Sequence, residues 1–341
     1  MSGMTVIAGR RSRGRRRALI VGGLGASVLL AFIASLVIGQ TFYGLDQIAR
    51  VILGEQVPGA SFTVGELRLP RATLALLAGF AFGIAGVTFQ TMLRNPLASP
   101  DIIGISSGAS AAAVLAIVVL GLSETLTSIV ALGAALLTAL VIYLLSVRGG
   151  FAGARLILIG IGIAAMLDSV IAYLLTRAAE WDVQSAMQWI TGSLNGATWS
   201  RILPLAIAFA VLVPVLLLLG RDLGMLRLGD ETAASLGVRV QPTRLALVLA
   251  AVALLAFATA ASGPIAFVAF MSGPIVARLV GPGGPLLLPA GLFGALLVLV
   301  ADLVGQFAFD TRYPVGVITG VLGAPYLVFL LIRTNRSGGS L

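Results

Sequence analysis

The pentapeptide Gly104-Ile105-Ser106-Ser107-Gly108 fits G-x-S-x-G, the nucleophile elbow of serine hydrolases. Such a serine needs a base, and the chain contains no His; all 22 of its basic residues are Arg, so a Ser-Lys pair is missing as well. These serines are expected instead to cap a helix and to permit tight packing. The same count removes other chemistries. Without Lys there is no P-loop, so this chain cannot be an ATPase of that type. Without His there is no HExxH zinc site or His-ligated haem, and without Cys no thiol or disulfide chemistry. No catalytic residue, metal site or bound cofactor is expected. Two acids lie in apolar surroundings. Asp168 falls mid-segment, where an exposed charge would cost about 2.5–3.5 kcal/mol on insertion scales, so it is expected to face a pathway or a partner. Asp302 lies near a segment end and is expected to reach the interface.

The elements that hold these residues are membrane spans. The chain has 341 residues, 59% apolar and 10% charged, with a mean hydropathy of +1.08. That composition marks an all-α polytopic membrane protein. A basic arm, 1–17, carries six arginines ahead of an apolar segment from Ala18 to about Ile38. The segment is longer than a signal-peptide core and reads as an uncleaved first span. Further spans are expected at about 72–93, 102–120, 125–146, 155–176, 200–219, 242–261, 264–280, 286–306 and 314–332, ten in all within a single domain, 18–333, followed by a tail, 334–341. An even number places both termini on one side, the cytoplasmic side of a cytoplasmic membrane. Sixteen arginines then fall inside and six outside (Arg50, Arg68, Arg71, Arg177, Arg201 and Arg312), as the positive-inside rule requires. Residues 41–67 are expected along the outer surface. A second outer segment, 180–199, is expected to form a short helix with Trp181, Trp189 and Trp199 near the interface.

Between Arg68 and Ser110 the sequence runs R-L-P-R, a small-residue helix beginning at Pro70 with Gly79, Gly83 and Gly86 on one side, then R-N-P-L-A-S-P-D-I-I-G-I-S-S-G. This block resembles the permease subunits of the iron-chelate and vitamin B12 uptake family of ABC importers, the FecCD type. The matching residues are Arg68-Leu69-Pro70-Arg71, Ala78-Gly79, Gly86, Gln90, Asn95-Pro96-Leu97-Ala98, Pro100 and Gly104-Ile105-Ser106. Gly263-Pro264-Ile265, Phe267-Val268, Leu288-Pro289, Gly294, Asp302, Pro314-Val315-Gly316, Gly323 and Pro325 extend the resemblance. Trp189-x-x-Gly192-Ser193-Leu194, with Trp199 beyond, is similar to members that import ferric siderophores. The chain departs from the pattern at Gly273-Pro274 (often Pro-His or Pro-Gln), at Gln306 (often Arg) and at Arg312-Tyr313 (where Glu is usual).

The resemblance implies a type II ABC importer permease that moves an iron–siderophore complex by ATP-driven alternating access. Its partners would be a second permease subunit, identical or a sister, two ATP-binding subunits carrying ATP and Mg, an extracytoplasmic substrate-binding protein and membrane lipid, with no nucleic acid. In the inner loop, 220–240, Leu228-Gly229-Asp230-Glu231, Ala233 and Leu236-Gly237 resemble the family's coupling helix, which docks on the ATPase; an apolar face of Leu226, Ala233, Leu236 and Val238 is expected between two glycine turns. Asn95, Pro96 and Leu97, with Gln90, resemble the inner gate, and Asp168 is a candidate for the pathway. Arg68 and Arg71 would pair with acids on the two lobes of the binding protein, with Arg312 a candidate to stand in for the arginine missing at Gln306. A secondary transporter coupling an ion or proton through Asp168 and Asp302 is the alternative reading.

Overall fold

The computed structural model describes residues 3–101, 103–147, 153–281 and 284–336. Ile102, Arg148 and tail residues 337–341 therefore lie outside the described residues. The elements are α1 Gly3–Val37, α2 Leu45–Ile52, a π-helical stretch Ser61–Arg68 running directly into α3 Leu69–Met92, α4 Ile105–Val118, α5 Glu124–Val147, α6 Gly153–Thr176, α7 Glu180–Thr191, α8 Trp199–Leu218, α9 Gly220–Leu226, α10 Asp230–Ser235, α11 Val240–Ser262, α12 Val268–Val280, α13 Leu287–Phe307 and α14 Val315–Arg336. Each of the ten expected spans has its helix. Among the described residues, eight helices are long and apolar enough to cross a membrane; α4 and α12 are shorter. The arm and the first span are one helix, since α1 already begins at Gly3.

At about 1.5 Å per residue, α4 (14 residues) reaches only about 21 Å and α12 (13 residues) slightly less, against a hydrocarbon core of about 30 Å. Both start later than the apolar pattern implies, because the backbone turns left-handed first: Gly104 has φ 87° and Phe267 φ 63°. Irregular backbone of this kind survives in a membrane protein only where protein covers it and its polar groups are matched.

α3 is the hub, packed by α13, α11, α12, α8 and α1. Its glycines explain how so many neighbours fit. A Cβ on Gly79 would lie 2.5 Å from the Gly294 carbonyl oxygen of α13, Gly83 faces Ala290 of α13, and Gly86 faces Ala269 of α12. Backbones meet at van der Waals distance, the packing that drives helix association where lipid is as apolar as the side chains. Phe80 of α3 adds an edge-to-face contact with Phe209 of α8, centroids 5.1 Å apart. Pro70 does not begin this helix. The chain is already helical from Ser61, and the π-helical turns ahead of Pro70 suit a residue that lacks an N–H and crowds the preceding turn. Only part of 41–67 therefore lies outside the helical span.

Candidate functional sites at the two ends of the bundle

Arg71, in the first turn of α3, meets Asp302 near the C-terminal end of α13. Its Nε and Nη2 donate to the two carboxylate oxygens at 2.8 and 2.7 Å, and its Nη1 donates to Asn195 Oδ1 at 2.6 Å. The Gln306 amide, one turn on, donates to Asp302 at 2.7 Å. Asp302 is thus buried in a closed network and does not reach the interface as the sequence suggested, because a partner 231 positions away neutralises it in place. Arg68 is also engaged. Its guanidinium donates to the carbonyls of Leu36 and Val37, the last residues of α1, and of Thr41, at 2.8, 3.1 and 2.6 Å, and lies over the Tyr43 ring. A cation there satisfies helix-end carbonyls and complements the dipole. Arg312 is exposed and shares with Arg68, Arg71 and Gln306 the lining of a cavity of about 420 Å³. The three arginines come together, with only Arg312 fully presented to solvent.

Beside this cavity runs the segment after α7. Gly192 (φ 81°) ends α7 where the backbone of Pro264 leaves no room for a side chain. The Ser193 N–H then donates to the Ser262 carbonyl at 2.8 Å. Arg201 pairs with Glu124 at 2.8 Å and donates to the Ala261 carbonyl at 3.0 Å. Of the three tryptophans, Trp181 and Trp199 are exposed and Trp189 is buried against the core.

At the other end of α3, Arg94 (φ 52°) reverses the chain and Asn95 Oδ1 accepts the Leu97 N–H at 2.9 Å, an Asx turn that stops the helix. The buried Gln90 amide donates to the Pro96 carbonyl at 3.0 Å and to the Phe270 carbonyl of α12 at 2.9 Å. Gln90 therefore staples the turn to α12. Its Oε1 occupies the space a side chain at position 273 would need, so the unusual Gly273 and Gln90 fit as a pair. Leu97 is half-buried against the cluster of Phe270, Met271 and Leu330. A cavity of about 320 Å³ opens here, lined by Gln90, Arg94, Asn95, Pro96 and Arg227.

α10 sits at this same end, with Gly229 beside the Arg94 guanidinium. Gly229 (φ 103°) and Gly237 (φ 90°) bracket it, as the sharp turns required. Its apolar residues divide differently from the expected single face. Leu226, Ala233 and Val238 are buried against the bundle, whereas Leu228 and Leu236 remain 61% and 54% exposed. A six-residue helix has two sides, and the fold uses one of them for its own anchorage.

The FecCD transport family model matches residues 27–333, nearly the whole bundle just described. The chain belongs to the FecCD transport family. It is 40% identical to the ferric enterobactin transport system permease protein FepG of Escherichia coli, covering 92% of this chain and 95% of that protein. It is also 40% identical to the achromobactin transport system permease protein CbrC of Dickeya dadantii, over 91% and 90% of the two chains. A solved metal-chelate-type ABC transporter in an inward-facing conformation superposes with a TM-score of 0.81 at 28% identity, covering 93% of this chain and 99% of that one. FecCD members are membrane permease subunits, not enzymes, and the ATPase resides on separate subunits. In this FecCD chain the G-x-S-x-G serine is spent on structure. Ser106 Oγ donates to Asp101 at 3.0 Å, while the N-cap of α4 is Gly104 with no side-chain cap, so Ser106 ties the turn rather than capping the helix. Asp168 lies exposed on α6, and Ala165 and Ala172 on the same side of the helix are exposed as well, so the bundle leaves that face uncovered. The ion-coupled alternative is not favoured: the relatives are ABC permeases, and Asp302 is locked to Arg71.

Proposed function

We propose that this chain is one half of the pathway of an ABC importer for ferric siderophores, and that α10 receives the ATPase. The observation that carries the coupling assignment is the pair of exposed leucines that flank α10, Leu228 just before the Gly229 turn and Leu236 between the helix end and the Gly237 turn. Apolar side chains left open on a rigid, glycine-bracketed element suit a groove on a partner protein. With both termini in the cytoplasm, α10 and the Asn95 turn lie inside, and the Arg68–Arg71–Arg312 cavity lies outside. There a binding protein carrying acidic side chains would dock, with Arg312 supplying the encounter charge and Arg68 and Arg71 shaping the cavity behind it. A second permease, identical or a sister, would cover the α6 face and place Asp168 in the pathway between subunits, which avoids the cost of a lipid-facing carboxylate. Leu97, at the end of the stapled turn, would close the inner gate. Siderophore cargo is supported by the two relatives at 40% identity, whose names specify ferric enterobactin and achromobactin.

The test is Leu236→Asp in the assembled transporter. It should abolish vanadate-sensitive uptake of iron-loaded siderophore and loosen ATPase association, with membrane insertion and binding-protein docking retained. Normal uptake in that variant would remove α10 from the coupling role.

A further inference from the structure

α10 is six residues long, too short to hold a position by its own helicity, and a flexible glycine stands at each end. Pushed from outside, such an element would swivel unless something fixed it. Ala233 and Val238 are buried against the bundle, but apolar contacts resist sliding poorly. The directional fastening is ionic. Arg244, the fifth residue of α11, has a side chain only 6% exposed, and its Nη2 donates to both carboxylate oxygens of Asp230, the first residue of α10, at 2.8 and 3.0 Å. Burying a guanidinium is costly without a matched partner, so stability alone gives little reason for this joint.

What lies beyond the joint gives it a purpose. α11 continues to Ser262, largely buried, and its far end is tied again: the Ala261 carbonyl accepts from Arg201, and the Ser262 carbonyl accepts from the Ser193 N–H that follows α7. One helix is thus hydrogen-bonded to α10 near its start and to the segment after α7 at its last turn.

We infer that Arg244 is the positioning residue that makes α10 and α11 move as one body, so that displacement of α10 is delivered along α11 to the Ser193 segment at the opposite end. Without it, the Gly229 and Gly237 turns would absorb the stroke. This rests on α10 being the coupling helix. Of the two ion-pair partners, only Asp230 belongs to the coupling motif, and its role there becomes that of the anchor point for Arg244.

The experiment measures siderophore taken up per ATP hydrolysed, in proteoliposomes holding the complete transporter, for Arg244→Gln, Arg244→Lys and Asp230→Asn. Arg244→Gln and Asp230→Asn should each lower that ratio about tenfold, within the range of measured coupling changes. Arg244→Lys, which keeps the charge but loses the planar guanidinium, should fall between them and the parent. A merely structural role would lower uptake and ATP hydrolysis together and leave the ratio unchanged. An unchanged ratio in Arg244→Lys and Asp230→Asn overturns the inference, even where Arg244→Gln fails to insert. The outcome is separable from the coupling assignment itself: normal uptake in Leu236→Asp removes that assignment, whereas a silent Arg244 beside a defective Leu236→Asp removes only the joint.

Discussion

Replacing Arg71 by Leu should destabilise this protein mainly by stranding a buried carboxylate. Asp302 is 5% exposed in its side chain and would keep only the Gln306 amide as a hydrogen-bond donor, while Arg71 itself is 20% exposed. Breaking a buried pair from one side costs about 3–5 kcal/mol, and the partial access of water at Arg71 places the expected loss near the lower figure, about 3 kcal/mol. Asp302→Leu strands an arginine that still has Asn195 and some solvent, so its cost should be smaller, about 2 kcal/mol. The double variant replaces the pair by apolar groups and should recover most of both losses, a coupling of about 3–4 kcal/mol. With an unfolding entropy of about 2.1 cal/mol/K per residue, 341 residues convert 3 kcal/mol to a Tm lowered by about 4 °C. Thermal unfolding of the three variants in detergent, followed by size-exclusion recovery of folded protein, supplies the cycle. Losses that simply add, with coupling under about 0.5 kcal/mol, would refute the argument that Arg71 and Asp302 depend on each other as a buried pair. The same geometry governs how docking is tested. Arg71→Glu would set a carboxylate against Asp302, and Arg68→Glu would face the carbonyls of Leu36, Val37 and Thr41, so a charge reversal there confounds folding with encounter.

Docking is better probed at exposed Arg312, where Arg312→Glu should slow binding-protein association at low salt and leave Tm unchanged; an unaltered rate would take Arg312 out of the encounter surface. Gly273→Ala should displace the Gln90 amide from Pro96 and Phe270 at a cost of about 1–3 kcal/mol and reduce uptake, and adding Gln90→Ala should then change little; additive losses in the pair would show that the two are independent. Leu97→Cys should cross-link to a partner subunit in the inward-closed state only, and equal rates with and without nucleotide would remove it from the gate. Ser235→Cys should react only with membrane-permeant reagents and Ala179→Cys with impermeant ones; labelling of Ser235→Cys from outside sealed cells would invert the topology.

Hydropathy alone was sufficient for the ten helices, because a sustained apolar run that enters lipid satisfies its backbone within itself only as a helix. Residue types were sufficient to dismiss the serine motif, since chemistry without a base fails in any fold. Glycine spacing on α3 announced close packing, because only a missing Cβ lets backbones touch, though not that Gly79 and Gly83 meet α13 while Gly86 meets α12. What the linear pattern left open was partnership between distant positions. Arg71 and Asp302 stand 231 residues apart, Gln90 and Phe270 180, and no periodicity links them. Asp302 looked able to snorkel and Arg71 free to dock until the fold brought one to the other. The late starts of α4 and α12 were hidden for a related reason. Apolar composition continues through Ile103 and Ile265, but the left-handed turns at Gly104 and Phe267, and the cover that makes irregular backbone tolerable there, exist only once α3, α6 and α14 are packed around them. The division of α10 into a buried side and an exposed one follows the same rule, since which leucine is left for a partner depends on which side the bundle has already taken.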